Sequence, residues 1–295
     1  MTFEPVTVSR PWPAVRVPLV CDSPHSGTTY PADFRSALPL QQLRQGEDTD
    51  IDALWSAAPE VGATLVAAHF PRSYIDPNRA LEDLDPELLD GPWPTPLQPG
   101  DKSRLGYGLI WRKLDPHTLM YDRRLSVSEV QHRIARCWQP YRNALQQAID
   151  EAVATFGGVW HLNLHSMPDS AYARMGLKAQ RPLADFVLGD RDGTTCEPGL
   201  MEVVERNLRH FGHSVARNDP YKGAALLAQM GQPALNRHSL QIEIRRPLYM
   251  NEATRERNGG FELLRSQLTH TLREVAAYVQ SRVTSNPAVS SPARR

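Results

Sequence analysis

The sequence predicts a layered α/β fold. Two observations carry that reading. Short apolar runs of strand length alternate with stretches of helical period along most of the chain, the pattern of a sheet covered by helices. Three of the apolar runs also end in residues able to hold or serve a metal ion. Residues 16–21 (RVPLVC) lead into Asp22-Ser23-Pro24-His25, residues 159–164 (VWHLNL) lead into His165, and residues 239–244 (SLQIEI) carry Glu243. Ligands of open α/β sheets bind at the carboxyl ends of strands, so these endings converge on one expected site.

The elements follow in chain order. Residues 1–15 carry prolines and are expected as an arm over the surface. Residues 16–21 predict a buried first strand. Residues 31–45 and 50–59 space Ala, Leu and Trp at helical intervals, and 63–69 (ATLVAAH) predict a second strand. Residues 71–98 are rich in Pro and Asp and predict a loop of a length that is usually functional. Residues 126–156 predict a helix, with Ser126 and Ser128 as candidate N-caps, kinked or split at Pro140 because proline lacks the backbone N–H. Residues 159–164, 184–188, 213–217 and 239–244 predict strands, 197–210 and 261–282 helices, and Asp190-Arg191-Asp192-Gly193 a turn. No internal linker is visible. The chain reads as one domain over 1–283, with 284–295 as a disordered tail rich in Ser, Pro and Ala.

Composition narrows the function classes. A chain of 295 residues can bury a full core. Hydrophobic content of 41%, charged content of 22% and a net charge of +0 are ordinary. With no basic excess, nucleic-acid binding is disfavoured. The three cysteines are scattered, with no CxxC, as expected of reduced thiols. The first residues lack the apolar core of a signal peptide, and no run approaches the roughly 18 apolar residues of a membrane span. A cytoplasmic protein with no membrane partner is expected.

Catalytic zinc sites take about three protein ligands and leave a position open for water. His25 and His165 each follow a buried run and sit in a turn with proline, at equivalent strand ends. The third ligand is expected from Glu47-Asp48-Thr49-Asp50-Ile51-Asp52. Capping of a helix by the dipole explains one or two of these acids; Asp50 is favoured as the ligand, with Asp48 second. Arg72, Asn78 and Arg79 in RSYIDPNR could clamp a carboxylate, or form a plain surface loop with Asp76 paired to Arg79. Glu243 is the sharpest single residue, a carboxylate between Ile242 and Ile244 in an apolar strand. Burying it unpaired is costly. It is either half of an ion pair with Arg245 or Arg246, or a general base. A Ser-His-Asp triad is disfavoured: GxSxG is absent, and Ser26 and Ser166 each directly follow a histidine.

DSPHSGTTYP, DTDIDAL, RSYIDPNR, GYGLIWR, HLNLHSMP, PYKG and SLQIEIRRPLYMNE occur in this order between residue 22 and about residue 252. With them the chain resembles the N-formylglutamate amidohydrolases, zinc-dependent amidases related in fold to zinc carboxypeptidases and aspartoacylases. The resemblance implies a three-layer α/β/α fold around a mostly parallel or mixed sheet. It implies one Zn2+, or another divalent transition metal, on His25, Asp50 and His165. It implies Glu243 as general base, with Arg72 stabilising the oxyanion. Asn78, Arg79, Arg246, Tyr249 and Lys222 are implied on the substrate side, for a small acidic N-acyl amino acid. Three positions depart from the family pattern: Asn163 where aspartate is commoner, Arg142 in place of histidine, and Ala224 in place of glycine. They leave open a different N-acyl amino acid or a peptide as substrate. A metal-dependent sensor of an acidic metabolite, without turnover, is the rival from another class.

Overall fold

The computed structural model describes residues 3–179 and 181–284. Residues 285–295 of the expected disordered tail lie outside the described residues. Seven strands build the main sheet: β1 (Val6–Ser9), β2 (Leu19–Ser23), β3 (Thr64–Ala68), β6 (Val159–Met167), β7 (Phe186–Gly189), β8 (Val215–Arg217) and β9 (Arg237–Arg245). β4 (Lys113–Asp115) and β5 (Thr118–Leu119) form a separate ribbon. The sheet order is β1-β3-β2-β6-β9-β7-β8. β3, β2, β6 and β9 run parallel to one another; β1 is antiparallel to β3, and β7 to β9. The sheet is therefore mixed, and its parallel centre is buried on both faces.

The helices are α1 (Leu40–Leu43), α2 (Ile51–Leu54), α3 (Asp101–Arg104), α4 (Val127–Arg133), α5 (Gln139–Phe156), α6 (Ala171–Arg174), α7 (Pro198–His210), α8 (Ala225–Met230) and α9 (Phe261–Thr284). On one face of the sheet, Ile51 and Leu54 of α2, Val204 and Leu208 of α7 and Leu268 and Leu272 of α9 meet Leu162, Leu164, Leu240 and Ile242. On the other face, Tyr141, Leu145 and Ile149 of α5 meet Val20, Val66 and Val159. Each fully buried aliphatic side chain contributes about 1.5–3 kcal/mol. These are the three layers expected. No helix among the described residues is long and apolar enough to cross a membrane.

Most predicted strands stand, with shifted ends. The first begins at Leu19, after Pro18, because proline cannot donate to the ladder. Three expectations change. The N-terminal arm contains a strand, β1, which pairs with β3 from Val6↔Ala68 to Ser9↔Leu65. The helices expected over 31–45 and 50–59 shrink to α1, α2 and two 3-10 turns, Arg44–Gly46 and Ala58–Val61. Residues before α1 are held by long-range bonds instead. Ala37 N donates to Met120 O at 2.9 Å, and the buried Arg133 donates to Phe34 O at 3.3 Å. Pro39 also disfavours helical backbone at Leu38. The third change concerns the split at Pro140. α4 starts on Ser126, whose Oγ accepts from Glu129 N at 3.1 Å. It then continues through a π-helical turn, Ile134–Trp138, into α5. Pro140 sits in the first turn of α5, where a missing N–H is tolerated.

Candidate metal and substrate site

Side chains alternate across a strand, and three neighbouring strands alternate in phase. β6 presents His161, Asn163 and His165 to the face opposite Leu162 and Leu164. β9 does the same with Ser239, Gln241 and Glu243 opposite Leu240 and Ile242. The register places Asp22 beside Asn163, His161 beside Ser239, Asn163 beside Gln241 and His165 beside Glu243. A buried polar stripe thus crosses the centre of the sheet. It ends at the carboxyl ends of the parallel strands, where His25 follows β2 and Asn78 lies in the loop after β3.

His25, Asp48 and His165 converge there and could hold a metal ion. Asp48 Oδ2 lies 3.2 Å from His25 Nδ1 and 3.1 Å from His165 Nδ1. The far nitrogen of each ring faces an acceptor: His25 Nε2 is 2.8 Å from Asp76 Oδ1, and His165 Nε2 is 2.7 Å from Asn163 Oδ1. Those contacts assign the ring protons to Nε2 in both histidines. Two imidazole lone pairs and one carboxylate oxygen are then left pointing at one another, all buried. Neutral His, neutral His and carboxylate in that array fit a divalent metal. Burial is the main influence that lowers the His165 pKa, against the pull of Asp48, and it favours the neutral ring. Asp48 is held well below the ordinary carboxylate range, because its bonds to His165 and His25 outweigh burial.

Behind the ligands lies a further shell. Asn163 Nδ2 donates to Asp22 Oδ1 at 2.7 Å, and Asp22 also contacts His161 Nε2 at 2.9 Å and accepts from Tyr141 OH at 2.7 Å. Asp22 is buried, yet the bonds from His161, Asn163 and Tyr141 keep its carboxyl below the usual range. The neutral Asn163 is therefore backed by a carboxylate from the next strand. Asp76, which sequence reasoning placed in a surface loop, instead orients His25. Its charge is maintained against burial by Arg72, 2.8 Å away, and by His25.

The structure moves the acidic ligand from Asp50 to Asp48. Asp48 N donates to His25 O at 3.0 Å, which fastens its side chain beside His25. Asp50 has left-handed backbone (φ 64) at the start of α2 and faces away, 2.7 Å from Arg257. Tyr249 is also not brought to the cavity. It is buried and donates to Thr49 O at 3.0 Å, supporting the acidic turn from behind. Arg246 lines the cavity, but its guanidinium is bonded to Asp48 Oδ1 at 3.1 Å, Ser166 Oγ at 3.0 Å and Glu47 O at 2.8 Å. It orients Asp48 more than it awaits a substrate. Arg142 does not line the cavity; it donates to Pro77 O at 3.2 Å, bracing the loop that carries Asn78.

The remaining candidates gather around a cavity of about 680 Å³, lined among others by Arg72, Asn78, Arg79, Lys222, Ala224 and Glu243. Lys222 pairs with Asp192 at 2.8 Å toward its exposed rim. Asn78 Nδ2 is 3.1 Å from His165 Nε2, while its buried Oδ1 has no partner. Glu243 makes no ion pair among the described residues. Arg245 pairs with Asp185 at 3.0 Å and Arg246 with Asp48, so neither serves as the partner a structural role would need. The only hydrogen bond given to the Glu243 carboxylate is from Gln241 Nε2 at 3.0 Å. Burial first and Asp48 second raise its pKa to about 8, with Arg72 and Arg246 opposing. Neither Ser26 nor Ser166 is bonded to a histidine; Ser26 meets Ser23 and Ser166 meets Arg246.

Gly27 explains the small residue after His25. A Cβ there would lie 2.2 Å from Phe70 O and 2.4 Å from His69 C, both backbone. Gly27→Ala should push the His25 turn off the end of β3. We expect a loss at the upper end of the ~1–3 kcal/mol typical of overpacking, read as a lowered Tm together with lost metal content. An unchanged Tm and metal content would contradict this role.

Comparison with known proteins agrees with the geometry. The crystal structure of N-formylglutamate amidohydrolase from Ralstonia eutropha JMP134 superposes with a TM-score of 0.93. It is 62% identical and covers 95% of this chain and 99% of its own. N-formylglutamate deformylase of Pseudomonas aeruginosa is 29% identical over 247 residues, 80% of this chain and 84% of the relative. The Pseudomonas putida deformylase is 29% identical over 242 residues, 80% and 83% of the two chains. Residues 17–250, which hold every residue of the His25–Asp48–His165 cluster and Glu243, match the family as a whole, and the chain belongs to the N-formylglutamate amidohydrolases.

Proposed function

We propose that this protein hydrolyses the formamide bond of N-formylglutamate, releasing formate and glutamate, with a zinc ion held by His25, Asp48 and His165. One observation carries the reading: a buried, unpaired carboxylate, Glu243, stands in register with His165 beside three converging metal-ligand atoms. A sensor would gain nothing from a costly unpaired acid at that point. Zinc bound there supplies a Lewis acid and lowers the pKa of a water towards about 7. Glu243 takes the proton of the attacking water and returns it to the departing amine nitrogen. Arg72 keeps its charge against burial through Asp76 and Asp48 and stabilises the oxyanion from the cavity wall. Asn78 and Arg79 orient the substrate through a carboxylate.

The test is release of formate and free amine from N-formylglutamate by metal-stripped and zinc-restored protein, beside a panel of other N-acyl amino acids and with manganese and cobalt as competitors. Zinc-dependent turnover of N-formylglutamate is expected. Zinc binding without turnover of any panel member would overturn the proposal.

Asp22 acts at one remove, through Asn163 onto His165. Asp22→Asn should weaken metal binding by about 10–100-fold, measured by competition with a chelator. Metal affinity equal to wild type would show that the shell behind Asn163 does not tune the ligand.

A further inference from the structure

Seven basic side chains line the cavity, and five are already engaged. Arg72 is bonded to Asp76, Arg246 to Asp48 and Lys222 to Asp192, while Arg79 donates to Tyr107 O and Arg191 to Gly223 O. Lys102 of α3 and Arg174 of α6 differ: among the described residues their charged heads have no hydrogen bond and no ion pair. The acids nearest in charge are occupied elsewhere. Asp101 pairs with Arg104 at 2.9 Å, and Glu252 accepts from Asp169 N.

Each of the two faces like charge instead. Burial and then Arg79 and Arg72 depress the pKa of Lys102; burial and then Arg246 depress that of Arg174. A protein that crowds cations at two separate points of one cavity, with no counter-ion at either, has made two anion positions. They differ in distance from the chemistry. Lys102 also interacts with Glu243, whereas Arg174 stands at the exposed rim with Tyr107 and Tyr221 as neighbours.

We propose that Lys102 and Arg174 are specificity-determining anchors for the two carboxylates of a dicarboxylic N-acyl amino acid. Lys102, with Arg79, takes the carboxylate next to the amide, and Arg174 takes the distal one. This rests on the hydrolysis proposed above and adds the reason that the substrate must carry two acids. A neutral side chain leaves Arg174 beside Arg246 without relief, so the site rejects it by an unpaired charge rather than by shape.

The experiment compares kcat/KM for N-formylglutamate and its neutral isostere N-formylglutamine. Wild type should favour the glutamate substrate. Arg174→Gln should reduce that preference about tenfold or more by lowering the glutamate value alone, and Arg174→Lys should restore part of it. Lys102→Gln should raise KM for both substrates alike. An unchanged preference in Arg174→Gln, or an equal fall for both substrates, would overturn the proposal. If wild type hydrolyses neither compound, the hydrolysis reading fails on its own and binding decides the anchors. Calorimetry should then show glutarate bound more tightly than butyrate, with the difference lost in Arg174→Gln. Equal binding of the two acids by wild type would overturn the two-anchor assignment.

Discussion

Glu243→Gln should lower kcat for N-formylglutamate by about 10²–10⁴-fold, the range general acid–base groups supply, while zinc content and the fold remain. The amide keeps the shape and the neighbourhood of Gln241 but can neither take nor return a proton. Because Glu243 has no ion pair, its neutral replacement strands no cation. KM should change little, since the residue acts on the reacting atoms. Full activity in this variant with zinc bound would remove Glu243 from the mechanism. The same variant carries a pH signature in the metal-free protein. Burial and Asp48 raise the folded-state pKa from 4.5 to about 8, so folding takes up a proton between those values. The stability contributed by the protonated form is present below about 4.5 and is lost as pH rises through about 8. Metal-free wild type should therefore lose Tm relative to metal-free Glu243→Gln between pH 5 and pH 9. A Tm difference independent of pH would contradict the raised pKa.

The parts of the fold that were legible are those where one physical signal acts alone. The parallel strands are buried on both faces, so they read as apolar runs, and polar residues inside them stand out. Asp22, His25, His165 and Glu243 were visible for that reason. The helices expected over 31–59 were not there, because spacing of Ala and Leu says nothing about the bonds from Arg133 and Met120 that hold this stretch in other conformations. Asp76 was illegible for a related reason. An aspartate before proline reads as a turn, and its partner His25 lies 51 positions away in sequence. Lys102 and Arg174 carried no motif at all; only their shared cavity and the absence of partners single them out. The acids at 47–52 present the hardest case, since every one of them could plausibly cap a helix and sequence spacing does not say which way a left-handed residue turns its neighbours.

That ambiguity yields the second large effect. Asp48→Asn should abolish stable metal retention and with it activity, by at least about 10³-fold, because two histidines alone leave the site one ligand short of the usual three. The variant loses more than a ligand. Arg246, bonded to Asp48 Oδ1, keeps its charge in a buried position with its anionic partner gone, and His25 and His165 are left facing a neutral amide. Asp50→Asn should leave metal content and kcat near wild type. Asparagine tolerates the left-handed backbone that Asp50 adopts, and what is lost is a half-exposed pair with Arg257, a class of contact contributing about 0–1 kcal/mol. The two variants differ by one carboxylate at positions two residues apart, so their comparison is independent of gross charge. Metal analysis after exhaustive dialysis, alongside turnover, separates them. Retention of metal in Asp48→Asn together with its loss in Asp50→Asn would reverse the assignment, and the geometry of the turn after His25 would have to be rebuilt around Asp50.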